Sequence, residues 1–262
     1  MASAGSNSTF WFIDTLAVTP NGKYLYSADY DTGAVTPYEI NQTTGALTPL
    51  SSLVLSEGEL ACIAATDSFV YIADYDFPGV IYVAQIGSDG TLTLVDDTTN
   101  IADLAAEEGP ESMAIDATGK YLYVGGWDQI FGFSIGTDGK LTSLASGAPV
   151  ALPNGPGGYL YSTTFTRDNA FIYMSDSNNG PHAFTFNVSS GAISELTSSP
   201  FGSDVVTGGS IVVDASNSFV YAAQACGKIV GFRRDTTTGA LTELTGLPAT
   251  AQNAACSVAA VP

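Results

Sequence analysis

One segment recurs five times along the chain, and the recurrence limits what it can fold into. LAVTPNGKYLYSAD begins at Leu16, ACIAATDSFVYIAD at Ala61, MAIDATGKYLYVGG at Met113, TTFTRDNAFIYMSD at Thr163 and IVVDASNSFVYAAQ at Ile211. Each joins a short apolar strand through a polar turn to an aromatic-aliphatic-Tyr strand, so Tyr26, Tyr71, Tyr123, Tyr173 and Tyr221 mark one repeated position. A third strand follows (VTPYEI, VIYVAQI, IFGFSI, HAFTFNV, IVGFRR), then a glycine turn (TTGA, SDGT, TDGK, SSGA, TTGA) and a fourth strand. Glycine supplies the positive φ of tight hairpin turns. Val, Ile, Tyr, Phe and Thr fill the strands, and no sustained helical period is present. Four antiparallel strands in a repeat of roughly 50 residues predict an all-β chain, a β-propeller of four-stranded blades. A single blade cannot bury both faces of its sheet, so neighbouring blades must cover each other.

The repeat divides a single domain, 1–262, into units at about 14–56, 57–108, 109–157, 158–206 and 207–250. The last residues, ACSVAAVP, match the first strand of the first unit, with Pro262 equivalent to Pro20. Residues 254–262 are therefore expected to be a closing inner strand. Six first strands then stand against five sets of the other three. Either a sixth blade is split and incomplete, or the chain lacks an N-terminal segment.

The pattern A-V-x-P-x-G-K-Y-L-Y-x-A-D, followed by a V-x-x-Y-x-I strand and T-G-A-L-T, resembles the lactonase-type propellers: 6-phosphogluconolactonases, 3-carboxymuconate cyclase-like proteins and YVTN-repeat proteins. The likeness covers nearly the whole chain. It implies the architecture, usually with seven blades. The activity it implies is lactone hydrolysis or muconate cyclisation, but no catalytic residue of the family maps onto a matching position.

Propeller geometry turns spacing into location. The turns between first and second strands, and between third and fourth, lie on one face of the disc, here the far face. The entry to the first strand and the turn between second and third strands share the near face, where loops on a rigid scaffold bind ligands. Entry positions read Asp14, Glu59, Glu111, Tyr161, Gly209 and Cys256. The next positions, Thr15, Leu60, Ser112, Ser162, Ser210 and Ser257, predict a ring of hydroxyls around the axial channel, broken at Leu60. Near-face tips read Asp29-Tyr30-Asp31, Asp74-Tyr75-Asp76, Trp127-Asp128 and Asp176-Ser177-Asn178. Lys23, Lys120, Arg167, Lys140, Arg233 and Arg234 map to the far face, leaving Lys228 near the acids. One acidic face is the expectation.

The charge balance agrees: seven Lys plus Arg against 26 Asp plus Glu, a formal net charge of −19. Such a surface repels nucleic-acid phosphates and anionic membranes, leaving a small molecule, a cation or a basic protein surface as partner. No apolar run reaches the ~18 residues of a membrane-spanning helix, and no secretory signal is visible at the N-terminus. Scarce Lys and abundant Ser, Thr, Gly and Asn suggest an extracytoplasmic protein. Clustered carboxylates suit Ca²⁺ or Mg²⁺, and the pairs Asp29/Asp31 and Asp74/Asp76 sit at adjacent tips. Asp is equally a turn residue that bonds its own backbone, so both readings stand. His182, the single histidine, starts a third strand away from the axis and reads as structural. Cys226 and Cys256 fall on the near face of neighbouring units as a candidate disulfide, while Cys62 reads as a small buried residue. Trp127, behind Gly125-Gly126, is placed to contact a ligand. The expectation is a lactonase-like propeller acting as a binding or scaffold module through its acidic face. The alternative is a hydrolase or cyclase of the resembled family.

Overall fold

A computed structural model describes residues 13–55, 59–75, 79–100, 109–144, 150–151, 158–202, 207–224, 227–246 and 249–250. The expected closing strand at 254–262, with Ser257 and Cys256, lies outside these residues, as do Cys226, Asp76 and the side chain of Asp14. All 23 regular elements among the described residues are strands, and they form five sheets.

The first blade contains β1 (Ile13–Val18), β2 (Tyr24–Asp29), β3 (Ala34–Ile40), β4 (Leu47–Pro49) and β5 (Leu53–Val54). The second contains β6 (Leu60–Ala65), β7 (Phe69–Asp74), β8 (Val80–Ile86) and β9 (Leu92–Asn100). In the third are β10 (Ser112–Ile115), β11 (Tyr121–Gly125), β12 (Gln129–Ile135), β13 (Leu141–Ser143) and β14 (Val150–Ala151). The fourth has β15 (Ser162–Phe165), β16 (Phe171–Ser175), β17 (His182–Phe186) and β18 (Ile193–Glu195). The fifth has β19 (Ile211–Val213), β20 (Phe219–Gln224), β21 (Lys228–Arg234), β22 (Leu241–Glu243) and β23 (Ala249–Thr250). Every sheet is an antiparallel meander. The outer strand is broken in blades one, three and five, where two short strands both pair with the third strand. The inner strands β1, β6, β10, β15 and β19 adjoin one another in that order.

The repeated tyrosine does more than fill space. Tyr26 donates its hydroxyl to Gly90 O at 3.2 Å, Tyr71 to Gly139 O at 3.0 Å, Tyr123 to Gly191 O and Tyr173 to Gly239 O at 2.7 Å. Each acceptor lies in the glycine turn of the following blade. The aromatic residue two positions earlier lies over the same glycine: a Cβ on Gly139 would meet Phe69 Cδ1 at 2.5 Å, and one on Gly191 would meet Tyr121 Cε1 at 2.5 Å. Both glycines have positive φ, 82° and 69°. Glycine is thus required twice over, by the backbone and by the ring above it. The same four tyrosines are almost fully buried, and burial raises the pKa of each hydroxyl, so the phenols remain protonated donors.

A second device links the far-face turns. Asn21 N donates to Asp67 Oδ1, Ala117 N to Asn169 Oδ1 and Arg167 N to Asn217 Oδ1, each acceptor on the next blade. Asn169 and Asn217 adopt left-handed φ of 55° and 62°, which Asn tolerates well. Between blades four and five, Arg234 is buried rather than displayed on the far face. It reaches Tyr173 Oη, Asn217 O and Asp168 Oδ2 at 3.2, 2.8 and 2.9 Å and lies over the Phe171 ring.

Candidate functional site

On the near face, a cavity of about 520 Å³ is lined by Tyr30, Ala61, Tyr75, Glu111 and Tyr161. A narrower one of about 250 Å³ shares Ala61, Glu111 and Tyr161 and runs along the inner strands past Thr15, Cys62, Ser112 and Ser162. Together they form the mouth and throat of the axial channel. A larger hollow of about 630 Å³ lies on the far face between the turns of blades two and three. Its two carboxylates, Asp67 and Asp116, already accept hydrogen bonds from turn residues. The near-face mouth is therefore the better candidate.

Backbone hydrogen bonds between tips and strand entries shape the mouth. Glu59, at φ 66°, donates its N–H to Tyr30 O and accepts from Tyr75 N at 2.8 Å, binding two tyrosine tips through one residue. Asp128 N donates to Gly158 O, and Asp128 Oδ1 accepts from Gly158 N at 3.0 Å. Trp127 bridges Tyr159, their rings edge to face at 4.5 Å, and Tyr159 stacks on Tyr161 at 5.5 Å. An aromatic row therefore leads from the third tip to the mouth, where Tyr161 is 41% exposed. Burial, then the Glu111 carboxylate and Tyr159, raise the Tyr161 pKa, so that phenol is a proton donor. Burial followed by Glu111 pushes the Cys62 thiol up as well, keeping it un-ionised and inert.

Of the acids expected on the near face, Glu111 alone lines the described mouth. Asp29 accepts from Thr32 N and Oγ1, a local turn bond. Asp31 is exposed and Asp74 is buried. Asp176, expected as an open ligand, is 1% exposed: its oxygens take the N–H groups of Asn178 and Asn179, the Asn179 side chain and His182 Nε2. The expected hydroxyl ring is partly spent on stitching blades together. Ser112 Oγ donates to Leu160 O at 2.6 Å, and Ser162 Oγ accepts from Ile211 N at 3.1 Å. Among the described residues, no three His, Cys, Asp or Glu side chains converge to hold a metal ion. Of the paired tips, Asp29 serves its own turn.

His182 is fully buried, with Nε2 3.0 Å from Asp176 Oδ2 and Nδ1 2.7 Å from Glu195 Oε1. Burial alone would lower its pKa. Hydrogen bonds and charge from the two carboxylates overcome that and raise it to about 9. An imidazolium held at both nitrogens has no lone pair left for general-base work. Sequence reasoning passed over Tyr30, Tyr75 and Tyr161 as ligand contacts, although the alternation in Asp-Tyr-Asp was a usable signal. Tyr30 and Tyr75, the middle residues of those two triplets, line the cavity.

Fold and mouth together define a propeller with an axial, aromatic-walled near-face cavity. Residues 13–158, more than half of the chain, match the family described as lactonase, 7-bladed β-propeller, and the protein belongs to that family. Among curated proteins, none matches the sequence. Solved structures share the fold. A candidate 6-phosphogluconolactonase of Bacteroides fragilis superposes with TM-score 0.74 at 21% identity, covering 93% of this chain and 73% of that one. The periplasmic gluconolactonase of Pseudomonas aeruginosa gives 0.73 at 19% identity, covering 88% and 70%. A candidate 6-phosphogluconolactonase of Bacteroides uniformis gives 0.73 at 18%, covering 92% and 73%. Among the described residues, no helix is long and apolar enough to cross a membrane.

Proposed function

We propose that the near-face mouth binds an uncharged, polyhydroxylated small molecule, a sugar or sugar lactone, and that the chain acts as an extracytoplasmic binding module through this acidic face. The observation carrying this reading is the set of three tyrosines, Tyr30, Tyr75 and Tyr161, around the single carboxylate of Glu111 in one cavity. Tyrosine faces cover the apolar faces of a sugar ring while their hydroxyls bond its rim, and a carboxylate accepts from ring hydroxyls more strongly than a neutral group does. No Lys or Arg lines the mouth or throat among the described residues. A phosphorylated or carboxylated ligand would therefore meet Glu111 with no compensating cation.

A hydrolase remains the second reading, supported by membership of the lactonase family and by the Glu111–Tyr161 pairing. A carboxylate able to activate water beside a protonated phenol able to bond the developing oxyanion is a minimal set for opening a lactone. Calorimetric titration with gluconolactone and with its 6-phosphate tests the binding reading, with turnover followed in parallel. The neutral lactone should bind, the phosphorylated one should not, and Glu111→Gln and Tyr161→Ala should each weaken binding at least tenfold. Equal affinity for both lactones, or indifference to both substitutions, would sink it. Turnover lost in Glu111→Gln while binding survives would favour the hydrolase.

A further inference from the structure

The turn between first and second strands has one length in four blades and another in the second. Residues 19–23, 116–120, 166–170 and 214–218 make five-residue turns, whereas blade two turns with Thr66, Asp67 and Ser68 alone. The fourth position of the longer turns is Gly22, Gly119, Asn169 or Asn217, each at left-handed φ. The two asparagines supply the far-face link. The second N–H of the preceding turn, on Ala117 or Arg167, donates to the asparagine Oδ1 at 3.0 and 3.1 Å respectively. Asn169 Nδ2 also donates to Asp116 Oδ2 at 3.0 Å, so one carboxamide is held between an N–H and a carboxylate of the preceding blade. Between blades two and three that link is missing. The donor at the second position is Asp67 N–H, and the position due to face it is Gly119, where a Cβ would meet only Thr66 Cγ2, at 3.8 Å. Among the described residues Asp67 N–H has no partner, and the carboxylate accepts only through Oδ1, from Asn21 N. The short turn and the glycine coincide with the far-face hollow of about 630 Å³, which Asp67, Gly119 and the apolar Pro20, Ile115 and Ile135 help to line. Its lining residues are all described, and blades two and three each have a described blade on both sides.

We propose that this hollow binds a small uncharged molecule that bears a primary carboxamide on an apolar ring or chain. The carboxamide takes the place that the Asn169 side chain fills in the next interface. Its oxygen accepts from Asp67 N–H, and its NH2 donates to the open carboxylate oxygen of Asp67. The apolar body covers Ile115 and Ile135, which pack against the core between blades two and three and are only partly buried. An anionic ligand is disfavoured, because Asp67 faces it and the chain carries a formal net charge of −19. The volume lies within the range of small-molecule sites. The hollow is on the face opposite the mouth, so the inference does not depend on what the mouth binds.

Ligand-observed NMR on the full chain tests this with three probes that share one ring: benzamide, benzylamine and benzoate, each at millimolar concentration. Benzamide should bind more tightly than either ion. Gly119→Asn puts a carboxamide of the chain itself where Asn169 and Asn217 stand, at a φ of 69° that asparagine tolerates. It should weaken benzamide binding by about tenfold or more while holding or raising the melting temperature. Asp67→Asn keeps an acceptor for Asn21 N but removes the carboxylate, and should weaken benzamide by about threefold to tenfold. Excess gluconolactone should leave benzamide bound. No binding of benzamide, tighter binding of benzylamine or benzoate, displacement by gluconolactone, or affinity unchanged in either variant would each overturn the carboxamide site.

Discussion

Alanine at Gly139 isolates the contact that repeats between blades. Two costs combine there. The first is conformational: φ at Gly139 is 82°, and placing an L-residue in that region costs about 1–2 kcal/mol. The second is steric: the new Cβ would stand 2.5 Å from Phe69 Cδ1 and 2.6 Å from Cε1. Phe69 is only 9% exposed, inside the core between blades two and three, and cannot swing aside without opening that core. Overpacking of this kind adds about 1–3 kcal/mol. Gly22 is the control, with φ 69° and no atom within 4 Å of a Cβ, so its alanine variant carries the first cost alone. Urea unfolding of both variants should show losses of about 2–5 kcal/mol for Gly139→Ala and about 1–2 for Gly22→Ala, with unchanged m-values. Equal losses would refute the ring-on-glycine account and leave the glycines explained by φ alone.

Two further outcomes follow from buried charge. Arg234→Lys should cost about 2–4 kcal/mol in thermal or urea unfolding, because one ammonium cannot replace three donors aimed at Tyr173, Asn217 and Asp168 within a buried interface; a loss below about 0.5 kcal/mol would show the fork to be incidental. For His182, the folded-state pKa of about 9 lies above the ordinary 6.5, so its contribution is fully present below pH 6.5 and is lost as pH rises through 9, of order 3 kcal/mol in all. Asp176, held below the usual carboxylate range despite burial by its bonds to His182, Asn178 and Asn179, acts in the opposite direction: its contribution is present above pH 3.8 and is lost as pH falls through its lowered folded value. Melting temperature against pH should therefore decline from neutrality to pH 9.5 in the wild type more steeply than in His182→Gln, and parallel slopes would contradict the buried imidazolium.

The fold could be read from the sequence because its determinants are local and repeated. A strand, a turn and a Tyr-ending strand fit within fourteen residues, and five copies leave little freedom of architecture. The fate of the acids could not be read the same way. Asp29 and Asp176 sit at the tips where spacing puts them, yet their oxygens bond backbone N–H groups two or three residues away. An aspartate in a tip reports the turn before it reports a ligand. The partners of Asp176 and Arg234 come from other strands or blades, which no within-unit alignment displays. The result is that Asp176 and Arg234, at positions that read as surface charge, are a buried acid against the imidazolium of His182 and a buried guanidinium.

The contacts that give the repeat its meaning span more than one repeat. Tyr26 and Gly90 are 64 residues apart, Tyr71 and Gly139 68, Tyr123 and Gly191 68, and Tyr173 and Gly239 66. Each tyrosine bonds past its own glycine turn to that of the next blade, so both residue types recur in every unit while neither is satisfied inside one.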